Sequence, residues 1–464
     1  MENSITRWIY RHSPVAAQNL FCSAYGVVKR CDRYFGKHYQ HFFDLFQASE
    51  RWSFEELRAY QNERLAEVVR HAYEHVPFYR RRFDSLHLKP ADIRTVEDLA
   101  KLPYLTKSDI RGAGTDLRAD DCKGRVHVIP SGGSTGTPTL YWRSKRSHQM
   151  EYAFTWSRRR PGVKQGEPYA SFTGVKIQPP NSFRRPFWRA NWAANQRMYS
   201  TFHMTDTTMP LYLDDLQKHP RVWLEGYVTP IYLLAKYILD HHYPFSAFPR
   251  AVFTTSEELT PRYREAIETA FRTKVYDQYG QGEQSSSITQ YACGHLHNDM
   301  AYAITEFIPV GQQGDMPVVE IIGTSLYNEA MPLIRCQTGD TALLPSRPVA
   351  CPHSAGQIVE AIRGRTGHVL VTRDGRRISN PALSLVTSES PNVKAMQYVQ
   401  DEIGAIRVLV VRESGYGAED EAQMLRLLRQ QIGESDTVVV EHVQELIRTD
   451  GGKTLPILSR LPRQ

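Results

Sequence analysis

A loop rich in glycine and hydroxyl residues has the composition of an anion-binding loop. It reads SGGSTGTPTL and follows the short apolar run VHVI at 126–129. Glycine leaves backbone N–H groups unobstructed, and hydroxyls add further donors, so such a loop can wrap phosphate oxygens. The residues concerned are Ser131, Gly132, Gly133, Ser134, Thr135, Gly136 and Thr137. Their spacing matches neither G-x-x-x-x-G-K-[ST] nor G-x-G-x-x-G, and for the loop alone a plain turn stays the alternative.

Four charged residues stand in short glycine-containing motifs later in the chain. Glu283 ends YGQGE, Asp340 ends QTGD, Arg365 ends RGR, and Lys453 lies in GGKT. Each has an ordinary alternative when taken singly. Either carboxylate could be solvated or could cap a helix, the arginine could lie on the surface, and DGGKT is also a good hairpin turn. Their order along the chain is what makes them informative.

A cysteine and histidine set forms a candidate metal site. CGHLH supplies Cys293 and His297, and CPHS supplies Cys351 and His353. Thiolate and imidazole are the ligands that zinc prefers in closed tetrahedral sites. We therefore take these four residues as a candidate structural zinc site, with free cysteines and solvated histidines as the alternative.

The pattern of apolar residues predicts an α/β protein with two domains. Residues 1–120 have helical spacing, with capping boxes at Ser53 and Thr106. From about 125 to 345 short apolar runs alternate with helical stretches, which predicts a mixed or parallel sheet covered by helices. Beyond Gly364 the sequence pattern predicts a hairpin, further strands and one helix. We expect a large N-terminal domain, 1–364, and a small mobile α+β lid, 365–464.

Composition limits the classes of function. The formal net charge is +7, and the six cysteines are scattered, as in a cytoplasmic protein with free thiols. No stretch has the roughly 20 apolar residues that cross a bilayer. The cluster RRPFWRA at 184–190 could contact bases or a membrane surface, but a solvated loop with buried aromatics is the simpler interpretation. We expect no nucleic-acid partner, and a homodimer is compatible with the sequence.

The ordered motifs resemble those of the adenylate-forming superfamily. SGGSTGTP is similar to its phosphate loop, YGQGE to its Tyr-Gly-x-x-Glu motif, QTGD to its Thr-Gly-Asp motif, and RGR to its lid hinge. HAYEHVPFYRRRF, LPYLTKSDIR, VFTTSEELTP and DQYGQGE resemble the phenylacetate-CoA ligase branch, in particular its CapK-like and coenzyme F390 synthetase-like members. Together these segments span most of the chain.

The resemblance implies an AMP-forming ligase that binds ATP and Mg²⁺. It assigns 131–137 to the phosphates, Glu283 to Mg²⁺, and Asp340, assisted by Arg365, to the ribose. Lys453 would bridge the acyl carboxylate and the α-phosphate. The adenine-side positions are Ser256, Glu257, Asp277, Gln278, Tyr279 and Gly280. The chain departs from the family pattern at Thr139, where many members have lysine, and at 366–368, where the hinge is usually acidic.

The acid and the acceptor are left open by the sequence. Aromatic residues between the motifs, including Trp192, Tyr199 and Tyr227, suit an aryl acid, although such residues also form cores. The acceptor is CoA by analogy with the ligases, or an amine or carrier-protein thiol. Two rival classes remain: a non-catalytic binding or scaffold relative, and a protein that uses RRPFWRA on nucleic acid or membrane.

Overall fold

The computed structural model describes most of the chain. The described residues are 4–122, 126–130, 139–158, 160–179, 182–365, 369–373, 377–379, 383, 386–387, 390–449 and 453–461. Backbone contacts divide the chain into two units. The first comprises 1–167, 190–196 and 276–362, and the second comprises 168–189, 197–275 and 363–464. The domain boundary expected at 364/365 stays a prediction.

Helices dominate the start of the chain, as the apolar spacing predicts. The α-helices are α1 (Ser4–His12), α2 (Val15–Tyr34), α3 (Lys37–Ser49), α4 (Phe54–His75), α5 (Pro77–Ser85), α6 (Lys107–Ala113), α7 (Lys145–Ser157), α8 (Met209–Gln217), α9 (Val228–Asp240), α10 (Pro261–Phe271) and α11 (Ala418–Ile432). Short 3-10 turns lie at Pro90–Asp92, Glu97–Lys101, Gly114–Leu117, Trp192–Ala194 and Thr201–His203. Both predicted capping boxes are present, Ser53 with Glu56 before α4 and Thr106 with Asp109 before α6.

Short strands fill the rest of the chain. They are β1 (His127–Pro130), β2 (Leu140–Arg143), β3 (Tyr169–Phe172), β4 (Trp188–Asn191), β5 (Gln196–Tyr199), β6 (Trp223–Tyr227), β7 (Val252–Thr255), β8 (Val275–Gly280), β9 (Ser287–Gln290), β10 (Leu296–Asn298), β11 (Ala303–Gln313), β12 (Met316–Ser325), β13 (Cys336–Leu343), β14 (Ile358–Val359), β15 (Ala361–Arg365), β16 (Val369–Val371), β17 (Arg377–Ser379), β18 (Val393–Glu402), β19 (Ala405–Arg412), β20 (Thr437–His442) and β21 (Ile457–Ser459).

Antiparallel pairing organises the strands of the first unit. β12 pairs with β11 and β13, β9 pairs with β8 and β10, and β10 also pairs with β14. The helices supply the core beside them, where Phe42, Phe46, Leu65 and Phe83 are fully buried. This unit holds β8, β13 and the β1–β2 hairpin, and therefore most of the predicted nucleotide motifs.

The second unit contains the predicted strand-helix-strand units. β6 pairs in parallel with β3 and with β7, while α9 and α10 carry buried apolar residues such as Ile231 and Ile267. α10 begins at Pro261, directly after Thr260, whose side chain accepts a hydrogen bond from the N–H of Tyr263. Parallel strands joined by helices, together with antiparallel sheets in the first unit, confirm the predicted α/β class with mixed sheets.

Residues 369–461 form an α+β arrangement with its own core. β18 and β19 are antiparallel, β20 pairs in parallel with β19, and β21 pairs in parallel with β18. β16 and β17 form the predicted hairpin. α11 contributes Met424, Leu428 and Ile432 to the apolar cluster. Within the described residues, we find no helix that is both long and apolar enough to span a bilayer.

Candidate active site

The glycine-rich loop is bounded by two paired strands. Residues 131–138 lie outside the described residues, so we describe only the strands on either side. β1 and β2 are antiparallel, and Pro130 pairs with Leu140. The two ends of the loop are therefore held together as the ends of a hairpin.

Glu283 lies beside the end of this hairpin that carries the loop. The hydroxyl of Tyr141 donates a hydrogen bond of 2.8 Å to Glu283 Oε1, and only 5 % of Glu283 is exposed. On the same strand, Arg143 Nη2 donates to the carbonyl of Gly282 at 2.7 Å. The loop ends and the YGQGE motif, about 140 residues apart in sequence, thus meet in one place.

Helix α7 fixes the turn that presents Glu283. Gln284 has a φ of +52°, and its buried amide donates to the Ser147 carbonyl at 3.2 Å and to Glu151 at 3.0 Å. A left-handed conformation at a glutamine costs backbone energy and persists where neighbouring contacts hold it. These bonds to α7 supply that support, so the carboxylate of Glu283 has a fixed direction.

Tyr279 and Asp340 form a buried pair. The Tyr279 hydroxyl donates to Asp340 Oδ2 at 2.8 Å, and burial followed by the charge of Asp340 raises the pKa of Tyr279 well above its usual value. The backbone N–H of Asp340 donates to Thr338 Oγ1 at 3.0 Å. The intervening Gly339 has a φ of +75°, which glycine adopts without strain. The aspartate of QTGD is thereby held in place by the YGQGE motif.

The remaining adenine-side residues of the first unit lie along β8. Gln278 pairs with Thr289 and Gly280 with Ser287, while the Asp277 N–H donates to Gln290 Oε1 at 2.9 Å. The buried Gln278 Oε1 has no hydrogen-bond partner among the described residues. A buried amide oxygen normally accepts a hydrogen bond, so this atom offers an acceptor to a bound ligand.

The second unit brings Lys453 to Glu257. Half-buried Glu257 accepts hydrogen bonds from the N–H of Thr229 at 2.7 Å and of Thr454 at 2.9 Å. Burial raises the pKa of Glu257, while these bonds and the charge of Lys453 act against that shift. The Lys453 ammonium lies 5.6 Å from the centroid of the Tyr227 ring. Ser256, with a φ of +70°, directly precedes Glu257.

The residues on either side of the DGGKT turn that the sequence suggests are paired through their backbones. The N–H of Thr449 donates to the Lys453 carbonyl at 2.9 Å, and Arg448 forms an antiparallel bridge to Thr454. Residues 450–452 lie outside the described residues. A hairpin-like turn and a functional lysine are therefore compatible, because the turn carries the side chain toward Glu257 and Tyr227.

The hinge motif is described in part. Arg365 is the last residue of β15, and its side chain lies outside the described part of the structure, as do residues 366–368. Its neighbour Arg363 donates to Glu258 at 3.0 Å within the second unit. The role of Arg365 stays a prediction.

The cysteine and histidine set comes together in three of its four members. Cys293, His297 and Cys351 place their ligand atoms within 4.8 Å of one another, and Cys293 Sγ lies 3.4 Å from His297 Nε2. His297 Nδ1 lies 3.3 Å from the Gly356 carbonyl, a contact that would orient the ring for a metal. His353 is not a member of this group, and it lines a cavity with Arg158 and Tyr291. Two thiols and one imidazole form a donor set that suits zinc.

The RRPFWRA segment is largely folded into the second unit. Phe187 and Arg189 are buried, and the Arg189 guanidinium donates to the carbonyls of Pro186 and Trp188 at 2.8 and 2.6 Å. Tyr199, which the sequence suggested for an acyl pocket, is a core residue that donates to Asp215 at 2.6 Å. Arg184 and Arg185, at the start of the RRPFWRA segment, are exposed.

Comparison with known proteins identifies the relatives of this chain. Residues 370–460 match the family of CapK C-terminal domains. Over 449 residues the chain is 28 % identical to Protein CapK of Staphylococcus aureus, which covers 96 % of this chain and 97 % of that protein. It is 27 % identical over 462 residues to phenylacetate-coenzyme A ligase of Aromatoleum evansii, covering 89 % of this chain and 97 % of that protein. The chain is thus similar over most of its length to CapK and to the phenylacetate-coenzyme A ligases.

Solved structures agree with these sequence matches at the level of the fold. The CapK-like chain superimposes on 2-hydroxyisobutyryl-CoA ligase in the postadenylation state, in complex with R3-HIB-AMP, with a TM-score of 0.63 at 17 % identity. The match covers 86 % of this chain and 89 % of the ligase. Together with the sequence matches to CapK and to phenylacetate-coenzyme A ligase, this shared fold confirms the resemblance that the motifs indicated.

Several contacts of the CapK-like site escape sequence motifs. Tyr141, Arg143 and Gln284 hold Glu283 in place, yet none of them belongs to a motif that marks a nucleotide site. The one available hint is position, because LYWR follows directly on the glycine-rich loop. A strand that closes a ligand loop is a place to look for residues that orient the site.

Proposed function

We propose that this protein activates a carboxylic acid with ATP, forming an acyl-adenylate and pyrophosphate, and then transfers the acyl group to the thiol of CoA. The observation that carries the proposal is the Tyr141–Glu283 hydrogen bond of 2.8 Å, which joins the base of the glycine-rich loop to a buried carboxylate. A carboxylate is a poor acyl donor until its oxygen becomes part of a good leaving group. Attack on the α-phosphorus supplies that leaving group as AMP.

The first unit would hold the phosphates and the ribose. Backbone N–H groups and hydroxyls of 131–137 would bind phosphate oxygens, and Asp340 would accept hydrogen bonds from the ribose hydroxyls. Glu283 would hold Mg²⁺, which neutralises charge on the phosphates when bound. The buried Gln278 Oε1, which has no hydrogen-bond partner among the described residues, would accept a hydrogen bond from the base. Arg365 would assist at the ribose.

Lys453 would supply positive charge where the new bond forms. Its ammonium would contact the acyl carboxylate and the α-phosphate, whose combined negative charge is largest in the transition state. Glu257, which lies close to Lys453, and Ser256 would form the adenine side of the second unit. The lysine thus acts on the first half-reaction more than on the second.

CoA is the proposed acceptor, and an amine or a carrier-protein thiol is the alternative. A related solved ligase, 2-hydroxyisobutyryl-CoA ligase, has been seen in complex with 2-HIB-AMP and CoA in its thioesterification state. That structure matches this chain with a TM-score of 0.56 at 17 % identity. The alternative rests on the likeness to CapK, whose name specifies no acceptor.

We propose an aryl acid as the first substrate class to test. The phenylacetate-coenzyme A ligases are the relatives that name an acid, and Tyr227 stands half-buried beside Lys453. A flat aromatic side chain next to the activating lysine suits a flat acyl group.

Product analysis separates the acceptors. Purified protein is incubated with MgATP, an aryl, fatty or amino acid, and either CoA or a panel of amines, and the products are separated by mass spectrometry. An acyl-CoA supports the full proposal. An amide, or an acyl-adenylate that accumulates with CoA present, assigns the alternative acceptor class. No adenylate with any acid contradicts the proposal.

The hydrogen bond from Tyr141 to Glu283 is expected to affect how much Mg²⁺ the adenylation reaction needs. We predict that Tyr141→Phe lowers adenylation by about tenfold and raises the Mg²⁺ concentration needed for half-maximal rate, because Glu283 loses a donor that fixes its direction. The measurement is the rate of adenylation across a Mg²⁺ titration. Tyr60→Phe is the matched control, since it removes a 2.8 Å tyrosine hydrogen bond to Tyr327 elsewhere in the first unit. An unchanged Mg²⁺ dependence would show that Tyr141 is structural only.

The Cys293, His297 and Cys351 group is the proposed structural zinc site. We predict about one zinc ion per chain, measured by inductively coupled plasma mass spectrometry on protein purified without chelators. Cys293→Ser or Cys351→Ser should remove it, because each takes away one soft ligand. Cys122→Ser, at a half-buried cysteine elsewhere in the unit, should keep it. Zinc that persists in both ligand variants would contradict the assignment.

A further inference from the structure

The outer face of α2 carries a set of exposed apolar side chains. Leu20, Phe21, Val27 and Val28 expose 61, 41, 53 and 61 % of their surface, and Tyr25 exposes 43 %. At about 100° per residue, these five positions fall within one half of the helix circumference. Single exposed apolar residues are common on proteins, whereas a contiguous set marks a surface that contacts something.

The sequence of this helix is unusual for one that faces water. Residues 13–28 read SPVAAQNLFCSAYGVV and contain no Lys, Arg, Asp or Glu. A surface helix normally places charged residues on its solvent side. The outer side of α2 instead has apolar or small residues over four turns. This composition indicates that a membrane or a protein partner covers that side of the helix.

Helix α1, which precedes α2 directly, also carries exposed apolar side chains. Its residues Ile5, Trp8 and Ile9 expose 65, 62 and 42 % of their surface. The buried side chain of Gln18 ties the two helices together, because its Nε2 donates to the carbonyls of Tyr10 at 2.9 Å and Ser13 at 3.0 Å. We call this surface the apolar N-terminal face. It consists of Ile5, Trp8, Ile9, Leu20, Phe21, Tyr25, Val27 and Val28.

The inner face of α2 is held firmly within the first unit. Asn19 Oδ1 accepts from the N–H of Ala190 at 3.0 Å, and Ser23 Oγ accepts from the N–H of Trp192 at 2.9 Å. Gly26 packs so closely on Asn191 that an added Cβ would lie 2.2 Å from its Oδ1. The helix therefore cannot rotate its apolar side inward.

The charges around the face have one predominant sign. Residues 4–36 contain Lys or Arg at 7, 11, 29, 30 and 33, against one acidic residue, Asp32. Arg33 packs inward, because its guanidinium lies 4.4 Å from the centroid of the Tyr152 ring. Asp32 lies 3.7 Å from His127 and 3.5 Å from His148, on the inner side of the helix. Arg11 and Arg30 are exposed, and the Lys29 ammonium lies 5.1 Å from the Tyr25 ring centroid. An apolar centre is thus combined with a cationic border.

We propose that the apolar N-terminal face binds reversibly, in the interfacial plane, to a membrane rich in anionic lipid. Apolar residues would enter the acyl boundary, Trp8 and Tyr25 would sit at headgroup level, and the basic border would meet anionic headgroups. A second copy of the chain suits this face less well, because pairing two such faces would bring their cationic borders together. This inference does not depend on the proposed catalytic activity.

Co-sedimentation with vesicles tests the proposal. Full-length protein is mixed with vesicles of phosphatidylcholine alone or with about a third of phosphatidylglycerol, at low and at high salt. We expect binding to the anionic vesicles that weakens several-fold at high salt, because screening reduces the attraction of the basic border. Leu20→Glu with Val28→Glu should weaken binding by at least about tenfold, because two apolar side chains become charged.

Control variants and a measurement of the oligomeric state distinguish membrane binding from pairing with a second copy of the chain. Val310→Glu and Ile403→Glu change exposed apolar residues elsewhere and should leave vesicle binding unchanged. Arg11→Glu with Lys29→Glu should weaken binding to anionic vesicles while the unfolding temperature stays unchanged. Absence of binding at low salt, or equal binding by the Leu20/Val28 variant, would overturn the proposal. A dimer in analytical ultracentrifugation that the Leu20/Val28 variant dissociates, without vesicle binding, would assign the face to a second copy instead.

Discussion

Replacing Glu283 by glutamine is expected to lower acid-dependent ATP–pyrophosphate exchange by at least about a hundredfold. The substitution keeps the shape of the side chain and its hydrogen bond from Tyr141, which is 2.8 Å long in the native protein. It removes the negative charge that would hold Mg²⁺, and electrostatic groups that act on phosphoryl transfer commonly contribute a factor of about a hundred to a thousand.

The Glu283 result has a direct control. Glu360→Gln makes the same chemical change at an exposed position of the first unit and should leave exchange unchanged. Both variants should unfold at the temperature of the native protein, since glutamine fits where glutamate does. Full exchange activity in Glu283→Gln, at saturating and at limiting Mg²⁺, would contradict the metal assignment.

Replacing Lys453 by alanine is expected to separate the two half-reactions. Pyrophosphate exchange should fall by at least about a hundredfold, because the ammonium charge is most needed while the acyl oxygen attacks the α-phosphorus. Transfer from a chemically synthesised acyl-adenylate to the acceptor should stay within about threefold of the native rate. Both steps can be followed in single-turnover experiments with the same purified protein.

Unfolding of the variant would lower both half-reactions, so it cannot explain a loss of pyrophosphate exchange with acyl transfer retained. Lys453 contacts the Tyr227 ring at 5.6 Å, and its backbone, which alanine retains, makes the hydrogen bonds to Thr449. Lys274→Ala removes an exposed lysine from the same unit and should leave both steps unchanged. Equal losses in both half-reactions for Lys453→Ala would show that the lysine does not act specifically in adenylation.

Local features of this protein could be predicted because their causes are local. The capping boxes at Ser53 and Thr106 each join residues three positions apart, and α10 begins at a proline after a threonine cap. The order of glycine-containing motifs was enough to predict the family resemblance. The pairing of Cys293 with His297 also follows from their closeness in sequence, which β9 and β10 preserve.

Contacts between distant segments could not be predicted in the same way. Tyr141 and Glu283 are 142 positions apart, and their hydrogen bond depends on how β2 packs beside the YGQGE turn. His353 is close to Cys351 in sequence, yet it is not a member of the group that Cys293, His297 and Cys351 form. The apolar N-terminal face was missed because an apolar helix pattern looks the same whether the helix is buried or exposed. Burial is a property of the whole fold, and sequence periodicity reports only one helix at a time.

The most direct test of the central claim is acid-dependent exchange of labelled pyrophosphate into ATP across a panel of aryl, fatty and amino acids. The exchange depends on reversible formation of an acyl-adenylate and on nothing that follows it. We expect exchange with at least one acid, strongest among the aryl acids, and dependent on Mg²⁺ and Glu283. Tight ATP binding without exchange for any acid would contradict catalysis and favour a relative that retains the fold as a binding module.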